Sequence, residues 1–233
     1  MSFVPARPAA LLFDFDGTLA DTAPDMAAAA NELRARRQLP PLPTAHYRPH
    51  VSRGARGLVG AAFDLAPGQD GFDALRDEFL DQYERQLYRH TRLFDGIDTL
   101  LDRLEACGIA WGIVTNKAMR FTGPLVRALQ LERRTPCIVG GDTTAHTKPH
   151  PAPLLHAAAL LGVEPARCWY LGDDERDMQA ARAAGMAAII AAYGYLHGRD
   201  WREWDADRHV AAPLDLLALL DAGTGTETPH ASA

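Results

Sequence analysis

The chain has 233 residues, 47% of them hydrophobic and 23% charged, which is the composition of a globular protein and excludes a disordered one. Its 24 basic and 30 acidic side chains give a net charge of −6, which argues against nucleic acid or an anionic membrane as a partner. The three cysteines form no CxxC pair, so neither a disulfide framework nor a zinc knuckle is expected. Because no apolar run has the length of a membrane span and no signal-peptide pattern occurs, the sequence predicts a cytoplasmic protein.

Strand and helix patterns alternate along most of the chain. Continuous apolar runs are typical of strands buried on both faces, and glycines follow several of the helices between them. The predicted strands are Ala9–Phe13, Ile109–Val114, Cys137–Val139, Cys168–Leu171, Ala187–Ala192 and His209–Ala212, and the predicted helices among them are Ile97–Cys107, Pro153–Leu161, Asp174–Ala184 and Leu214–Leu220. This alternation predicts an α/β fold with a doubly wound, Rossmann-like parallel sheet.

Residues 21–90 break the alternation. No strand pattern occurs there, whereas helical patterns begin after a predicted N-cap at Thr22 and cover Gly54–Leu65 and Phe72–Tyr88. We therefore predict a helical insertion that covers the site as a lid. The predicted division is an α/β core of residues 1–20 and 91–221, a helical cap of residues 21–90 and a flexible tail of residues 222–233.

A pair of carboxylates follows the first predicted strand, at the edge where ligands bind to doubly wound sheets. In Asp14-Phe15-Asp16-Gly17-Thr18, the alternation of side chains places Asp14 and Asp16 on the same side. Two carboxylates so close repel each other, which favours a bound cation, and an oxygen-rich site suits Mg²⁺. A capped strand-to-loop turn is an equal alternative for this string taken alone.

A second acidic cluster follows the predicted strand Cys168–Leu171. Asp173 and Asp177 are four residues apart and share a face at the start of a helix. We favour Asp173 as a metal ligand because it ends a strand beside the first acidic pair. For Asp174 we favour helix N-capping.

Basic and hydroxyl groups complete a site of the size of a phosphate. Thr115 ends a strand, and Lys148 precedes a helix. With a cation they would surround one dianion, so that Asp14 could act as nucleophile and Asp16 as the acid for the leaving group. Only two of the 24 basic residues are lysines, Lys117 and Lys148, a bias that we attribute to codon usage and chance.

Four motifs, taken together and in chain order, carry a family resemblance. They are Asp14-Phe15-Asp16-Gly17-Thr18-Leu19, Thr115-Asn116, Lys148-Pro149, and Gly172-Asp173-Asp174 with Asp177. Over about residues 9–220 the chain resembles the haloacid dehalogenase-like phosphatases, in their phosphoglycolate phosphatase-like branch. The resemblance implies an aspartyl-phosphate mechanism with Asp14 as nucleophile, Asp16 as acid and base, Thr115, Asn116 and Lys148 on the phosphate, and Asp14, the Asp16 carbonyl, Asp173 and Asp177 around Mg²⁺.

Single residues distinguish between the reactions that are known in this family. Dehalogenases lack the second aspartate of the first motif, so the presence of Asp16 disfavours that reaction. Phosphonate hydrolysis through a lysine in the cap is disfavoured because residues 21–90 contain no lysine. A sugar phosphomutase shares all four motifs and stays open, as does a non-catalytic regulatory or binding module, against which the intact set of motifs argues.

Stretches outside the motifs favour a class of substrate. Ser52–Arg56, Gly71–Leu75, Trp111–Lys117 and Tyr193–Tyr195 are similar to the branch that acts on sugar-acid phosphates in peptidoglycan recycling. This implies a small phosphomonoester, either N-acetylmuramic acid 6-phosphate or 2-phosphoglycolate. Both substrates carry a carboxylate, which Arg53 and Arg56 of the cap are candidates to bind. A monomer or a homodimer is expected.

Overall fold

A computed structural model describes residues 7–222 of the chain, and its centre is a six-stranded parallel sheet. The strands are β1 (Ala10–Phe13), β4 (Ala110–Val114), β5 (Ile138–Val139), β6 (Cys168–Gly172), β7 (Ala187–Ala191) and β8 (Arg208–Val210), and a separate pair consists of β2 (Ala20–Asp21) and β3 (Arg92–Leu93). The order across the sheet is β5-β4-β1-β6-β7-β8, with every pairing parallel. The chain therefore builds the sheet outwards from β1 in both directions.

Helices cover both faces of the sheet, which confirms the predicted doubly wound α/β fold. The helices are α1 (Ala23–Arg36), α2 (Thr44–Tyr47), α3 (Gly54–Phe63), α4 (Phe72–Arg85), α5 (Ile97–Ala106), α6 (Met119–Ala128), α7 (Ala152–Leu161), α8 (Glu175–Ala183) and α9 (Asp215–Ala222). Residues of α5, α6 and α9 pack on one face of the sheet, and residues of α7 and α8 pack on the other.

The central strand β1 is apolar throughout because both of its faces are covered. Leu11 and Phe13 belong to the core cluster on one face, whereas Leu12 belongs to the cluster on the other. All three side chains are fully buried. This alternation fixes the register of the strand, because a shift by one residue would exchange the two sets of side chains.

The segment between β2 and β3 has a core of its own. Residues of α1 to α4 form a third hydrophobic cluster, which includes Leu33, Leu58 and Phe79, and which extends to Phe121 and Tyr195 of the flanking parts. A 3₁₀ segment, Arg48–Arg53, connects α2 to α3. The helices were expected here, and the division into cap and core stays a prediction.

Two local features differ from the sequence-based expectations. The antiparallel pair β2 and β3 has two residues per strand, too short for any alternation to be visible, and it lies at the two ends of the helical segment. Thr22 stands at the N-cap of α1, but its hydroxyl does not cap the helix and instead donates a hydrogen bond to Asp16. Of the predicted tail, α9 reaches Ala222, and residues 223–233 lie outside the described part. No helix among residues 7–222 is both long and apolar enough to cross a membrane.

Candidate active site

The acidic residues meet where the order of the sheet reverses. Strands β1 and β6 are neighbours in parallel register, with Phe13 beside Leu171, so the residues that follow them leave the sheet side by side. Asp14 comes directly after β1, and Asp173 comes directly after β6. In doubly wound sheets this crevice at the carboxyl ends of the strands is the usual ligand site.

Two glycines allow the turn after β1 and the loop after β7 to approach Asp173 closely. Gly17 has a φ of +86°, and a Cβ atom at this position would lie 2.2 Å from Asp173 Oδ2. At Gly194 a Cβ atom would lie 2.3 Å from the Cβ of Asp173. Thr18 Oγ1 and the backbone N–H of Tyr195 donate to the two oxygens of Asp173 at 3.0 and 2.8 Å.

Three carboxylates form one buried cluster. Asp14, Asp173 and Asp177 are buried, and each offers an oxygen within 4.8 Å of the other two. Burial raises the pKa of Asp173 well above its ordinary value, and the charges of Asp14 and Asp177 raise it further. Burial likewise raises the pKa of Asp177, to about 7, because the attraction of Lys148 only partly offsets it.

The cluster fits a divalent cation. Its donors are carboxylate oxygens only, the ligand type that hard cations such as Mg²⁺ and Ca²⁺ prefer. Three like charges face one ammonium, so a cation at this place would remove a repulsion that otherwise raises the pKa values of two of the acids. Asp14, Asp173 and Asp177 could therefore hold a divalent metal ion.

Lys148 is the ammonium inside this cluster. Its Nζ lies 2.9 Å from Asp14 Oδ1 and 2.6 Å from Asp177 Oδ1, and it donates to the hydroxyl of Tyr170 at 2.8 Å. Burial alone would lower the pKa of Lys148, but the two carboxylates raise it above its ordinary value, so the side chain stays charged. A fixed positive charge thus lies against the residue predicted to be the nucleophile.

Asp16 lies outside the cluster of three and has different partners. Lys117 Nζ donates to both oxygens of Asp16 at 3.0 and 3.1 Å, and the hydroxyl of Thr22 donates to the same carboxylate. Because its side chain is engaged there, only the backbone carbonyl of Asp16, to which the resemblance assigned the metal contact, is left for a metal ion. The ammonium of Lys117 also lies 4.9 Å from the centre of the Tyr83 ring of α4.

The other two predicted phosphate ligands, Thr115 and Asn116, directly follow β4. The hydroxyl oxygen of Thr115 accepts a hydrogen bond from the backbone N–H of Lys117 at 3.2 Å, which leaves the hydroxyl proton for another acceptor. The side-chain amide of Asn116 does not point to a ligand in this arrangement. It donates to the carbonyl of Lys148 and accepts from the N–H of Lys148, both at 2.9 Å, so it holds the loop that carries the lysine.

A cavity of about 480 Å³ joins these groups to the helical segment. Its wall contains four arginines, of which Arg53 and Arg56 were predicted. These two have no hydrogen-bond or ion-pair partner within residues 7–222, whereas Arg76 is paired with Asp73 and Asp77. The fourth, Arg176, is paired with Asp174 and reaches the carbonyl of Ser52.

Sequence reasoning missed two groups of site residues. Lys117 was visible as one of only two lysines, a signal that we attributed to chance, and both lysines prove to be buried against the acidic residues. Arg176 and His197 gave no signal, because the carbonyls that they reach, those of Ser52 and Pro49, are far away in the chain. Asp174 was interpreted correctly as a helix N-cap, since it accepts from the backbone N–H of Arg176 and forms a capping box with Asp177.

The fold and these strand-end groups define an α/β enzyme of the doubly wound class, with acids at the switch point of the sheet. The chain belongs to the family of haloacid dehalogenase-like hydrolases, whose model matches residues 11–191. The expectations of this family and of a phosphomonoester hydrolase are confirmed.

Three relatives illustrate the likeness. The chain is 46% identical to a phosphoglycolate phosphatase of Xanthomonas campestris over 90% of this chain and 95% of the relative. It is 42% identical to an N-acetylmuramic acid 6-phosphate phosphatase of Pseudomonas aeruginosa over 92% of this chain and 96% of the relative. A crystal structure of a predicted phosphoglycolate phosphatase from Haemophilus somnus is similar at a TM-score of 0.80 and 27% identity, over 91% of this chain and 97% of that one.

The close approach of Gly17 to Asp173 yields the first prediction. We expect Gly17→Ala to displace the Asp173 carboxylate and to weaken the binding of a divalent cation, probed with Mg²⁺, more than tenfold. Gly162→Ala is the matched control: Gly162 has a φ of +65° but no atom within 4 Å of its missing Cβ, so it carries only the backbone cost of about 1–2 kcal/mol. Calorimetric titration with Mg²⁺ and thermal unfolding of both variants measure the two effects. Equal Mg²⁺ affinity in the two variants would contradict the role of Gly17.

The raised pKa values of the acids yield a pH dependence. Carboxylates must lose their protons before they bind a metal, and the pKa of Asp177 is about 7 in the metal-free protein. We therefore expect Mg²⁺ to bind roughly tenfold more weakly at pH 6 than at pH 8, with protons released on binding. Titrations in two buffers of different ionisation enthalpy count these protons. An affinity that does not change between pH 6 and pH 8 would show that the acids are already ionised.

Proposed function

We propose that the protein is a Mg²⁺-dependent phosphatase that hydrolyses a small phosphomonoester through a covalent phosphate on Asp14. The observation that carries the proposal is the convergence of Asp14, Asp173 and Asp177 on one point, with Lys148 against Asp14. Bound there, Mg²⁺ would supply positive charge to the phosphate oxygens. These residues would hold it, together with the carbonyl of Asp16.

In the proposed first step, a carboxylate oxygen of Asp14 attacks the phosphorus while the bond to the leaving oxygen breaks. Asp16 gives a proton to that oxygen, and the alcohol departs. In the second step a water molecule attacks the phosphorus and gives a proton to Asp16. The bond between phosphorus and the Asp14 oxygen breaks, so that phosphate is released and the carboxylate of Asp14 is restored. The ammonium of Lys148 and the hydroxyl of Thr115 would hold the phosphoryl oxygens during both steps.

Lys117 is a positioning residue in this proposal. Its ammonium touches both oxygens of Asp16, and it lies beneath Tyr83 of α4. It would hold the acid in one rotamer while the proton is transferred. The contact of Thr22 with the same carboxylate ties this acid to the first helix of the proposed cap.

The substrate that we propose is a sugar-acid or hydroxy-acid phosphate, N-acetylmuramic acid 6-phosphate first and 2-phosphoglycolate second. Relatives at 41–46% identity over most of the chain carry both names. The cavity of about 480 Å³ lies within the usual range for small ligands. Arg53 and Arg56 lie in its wall without a partner among residues 7–222, and we propose that they bind the carboxylate that both substrates carry.

The helical segment of residues 21–90 is proposed to be a cap that closes over the substrate and excludes bulk water. Its support is the separate hydrophobic cluster of α1 to α4 and the presence of Ser52, Arg53 and Arg56 in the cavity wall. A cytoplasmic location and a monomeric or homodimeric state remain predictions from the sequence.

Removal of the nucleophile tests the reaction. We expect Asp14→Asn to lower kcat at least about a thousandfold, because the amide cannot form the acyl phosphate. Asp81→Asn, a change at an exposed position of α4, should leave kcat unchanged. Phosphate release from a panel of phosphorylated metabolites and p-nitrophenyl phosphate, in Mg²⁺ and after chelation, is the measurement. Full turnover by Asp14→Asn would refute the proposal, and hexose phosphate isomerised rather than hydrolysed would identify a phosphomutase.

The role of Arg56 is tested by comparing substrates. We expect Arg56→Ala to lower kcat/KM about tenfold or more for acid phosphates, and to leave the aryl phosphate nearly unchanged, since only the former carry a second anion. Arg103→Ala on α5 is the control, because Arg103 is equally exposed and lies outside this cavity. An equal loss of kcat/KM on the acid and aryl phosphates would show that Arg56 does not bind the carboxylate of the substrate.

A further inference from the structure

One buried carboxylate connects the core to the 3₁₀ segment Arg48–Arg53. Asp174 caps α8 and is buried. The guanidinium of Arg176 donates to it twice at 2.8 Å, and Nε2 of His197 contacts it as well. Burial alone would raise the pKa of Asp174, but these two partners outweigh burial and hold the pKa well below its usual range.

Both partners of Asp174 also reach the backbone of the 3₁₀ segment. Arg176 Nη2 donates to the carbonyl of Ser52 at 2.7 Å. Nδ1 of His197 lies 2.9 Å from the carbonyl of Pro49. Each ring nitrogen of His197 thus faces an oxygen, so the imidazole bridges the carboxylate of Asp174 and the carbonyl of Pro49. Arg176 and His197 thus bind the backbone of the segment at Ser52 and Pro49, and the carboxylate of Asp174 binds both of these side chains.

The segment that is held in this way leads directly into the groups that line the cavity. Ser52 and Arg53 end the segment, Arg56 lies in the first turn of α3, and all three line the cavity. The hydroxyl of Ser52 is buried with no hydrogen-bond partner among residues 7–222. The guanidinium groups of Arg53 and Arg56 are equally without partners in that part of the chain. Their distance from Asp14 is therefore set by where the backbone of residues 49–53 is anchored.

The loop that presents His197 has an unusual backbone. Leu196, His197 and Gly198 follow one another with φ values of +53°, +50° and +65°. Non-glycine residues rarely adopt this left-handed region, and where they do the surrounding contacts impose it. Here the preceding residue, Tyr195, accepts hydrogen bonds from the N–H groups of Thr22 and Ala23 at the start of α1. The loop after β7 therefore touches the helical segment both at its first helix and at its 3₁₀ turn.

We propose that His197 and Arg176, joined through Asp174, are positioning residues that anchor residues 49–53 over the phosphate site and so create its selectivity for phosphomonoesters with a second anionic group. This inference rests on the proposed function, and it assigns the positions of Arg53 and Arg56 to the contacts made by His197 and Arg176. Neither residue of the anchor touches the reacting atoms. The anchor acts on the end of the substrate remote from phosphorus. Because Asp174 also forms the capping box with Asp177, the rate on an aryl phosphate is the reference that reports on the metal and the nucleophile.

The matched pair His197→Asp and His197→Asn tests the anchor. Both side chains have the same size and tolerate a left-handed backbone, but only asparagine keeps an N–H donor, and aspartate adds a charge that repels Asp174. We expect His197→Asp to speed amide hydrogen exchange in residues 49–56 at least tenfold, with exchange in β1 unchanged. His197→Asn should exchange much more slowly there than His197→Asp. His197→Gly, which removes the donors without a new charge, replaces His197→Asp if the latter does not fold.

Kinetics separate the anchor from a merely structural role. For 2-phosphoglycolate or N-acetylmuramic acid 6-phosphate, whichever the unmodified enzyme cleaves faster, His197→Asp should lower kcat/KM at least tenfold, mainly through KM. For p-nitrophenyl phosphate the change should stay within twofold. Arg199→Ala is the control, because it breaks the ion pair with Glu175 at the same end of α8 without a bond to residues 49–53.

Two results would overturn the anchor: exchange in residues 49–56 that is the same in His197→Asp as in the unmodified protein, or equal losses of kcat/KM on the acid and aryl phosphates. Failure of the proposed function looks different. In that case the unmodified protein with Mg²⁺ hydrolyses none of these esters, and the exchange experiment still decides whether His197 and Arg176 hold the segment.

Discussion

The arrangement of the site depends on three carboxylates that are forced together inside the protein. Asp14, Asp173 and Asp177 repel one another, and burial removes the water that would screen them. The carboxylates come together because β1 and β6 are adjacent parallel strands, so the residues that follow them leave the sheet at the same edge. Gly17 and Gly194 then pack against Asp173 where any side chain would collide. The ammonium of Lys148 offsets part of this negative charge, and the proposed divalent cation would offset the rest.

Two lysines divide the positive charge between the two functional acids. Lys148 lies against Asp14 and Asp177, whereas Lys117 lies against Asp16. The residues that follow β4 determine the positions of both lysines. Lys117 lies three residues after this strand, and the side-chain amide of Asn116 binds both backbone groups of Lys148. A compact ammonium suits both places, because each lysine contacts its carboxylates as a point charge where a planar guanidinium would need more room.

The sequence predicted the sheet and the acidic site well, and for physical reasons. Strands buried on both faces are continuous apolar runs, so β1, β4, β6 and β7 were found to within a residue or two. The acids were found because the ends of parallel strands share an edge. The strands β2 and β3 are too short to show a period, and Thr22 has the sequence context of a helix cap while its hydroxyl serves Asp16.

Contacts between segments that are distant in the chain could not be predicted from the sequence. Arg176 looks like an ordinary charged residue in the first turn of a helix, and His197 lies in a loop without a pattern. Their importance appears only when α8, the loop after β7 and the 3₁₀ segment are brought together by the fold. Lys117 is the instructive exception, since the rarity of lysine pointed to it. Composition can mark a buried charge even where local patterns are silent.

The contacts between the helical segment and the core fall on the groups that surround the chemistry. Thr22 binds Asp16, Tyr83 covers Lys117, and Arg176 binds Ser52 from the turn that also carries Asp177. In the proposed cap, the contacts of Thr22 and Tyr83 would hold the acid and its lysine, whereas the contact of Arg176 with Ser52 would place the arginines of the cavity wall. The two sets of contacts lie on different elements, because Thr22 stands at the N-cap of α1 and Tyr83 lies in α4, while Ser52 belongs to the 3₁₀ segment. Loss of the second set alone would then affect substrates with a second anion and spare those that present only a phosphate.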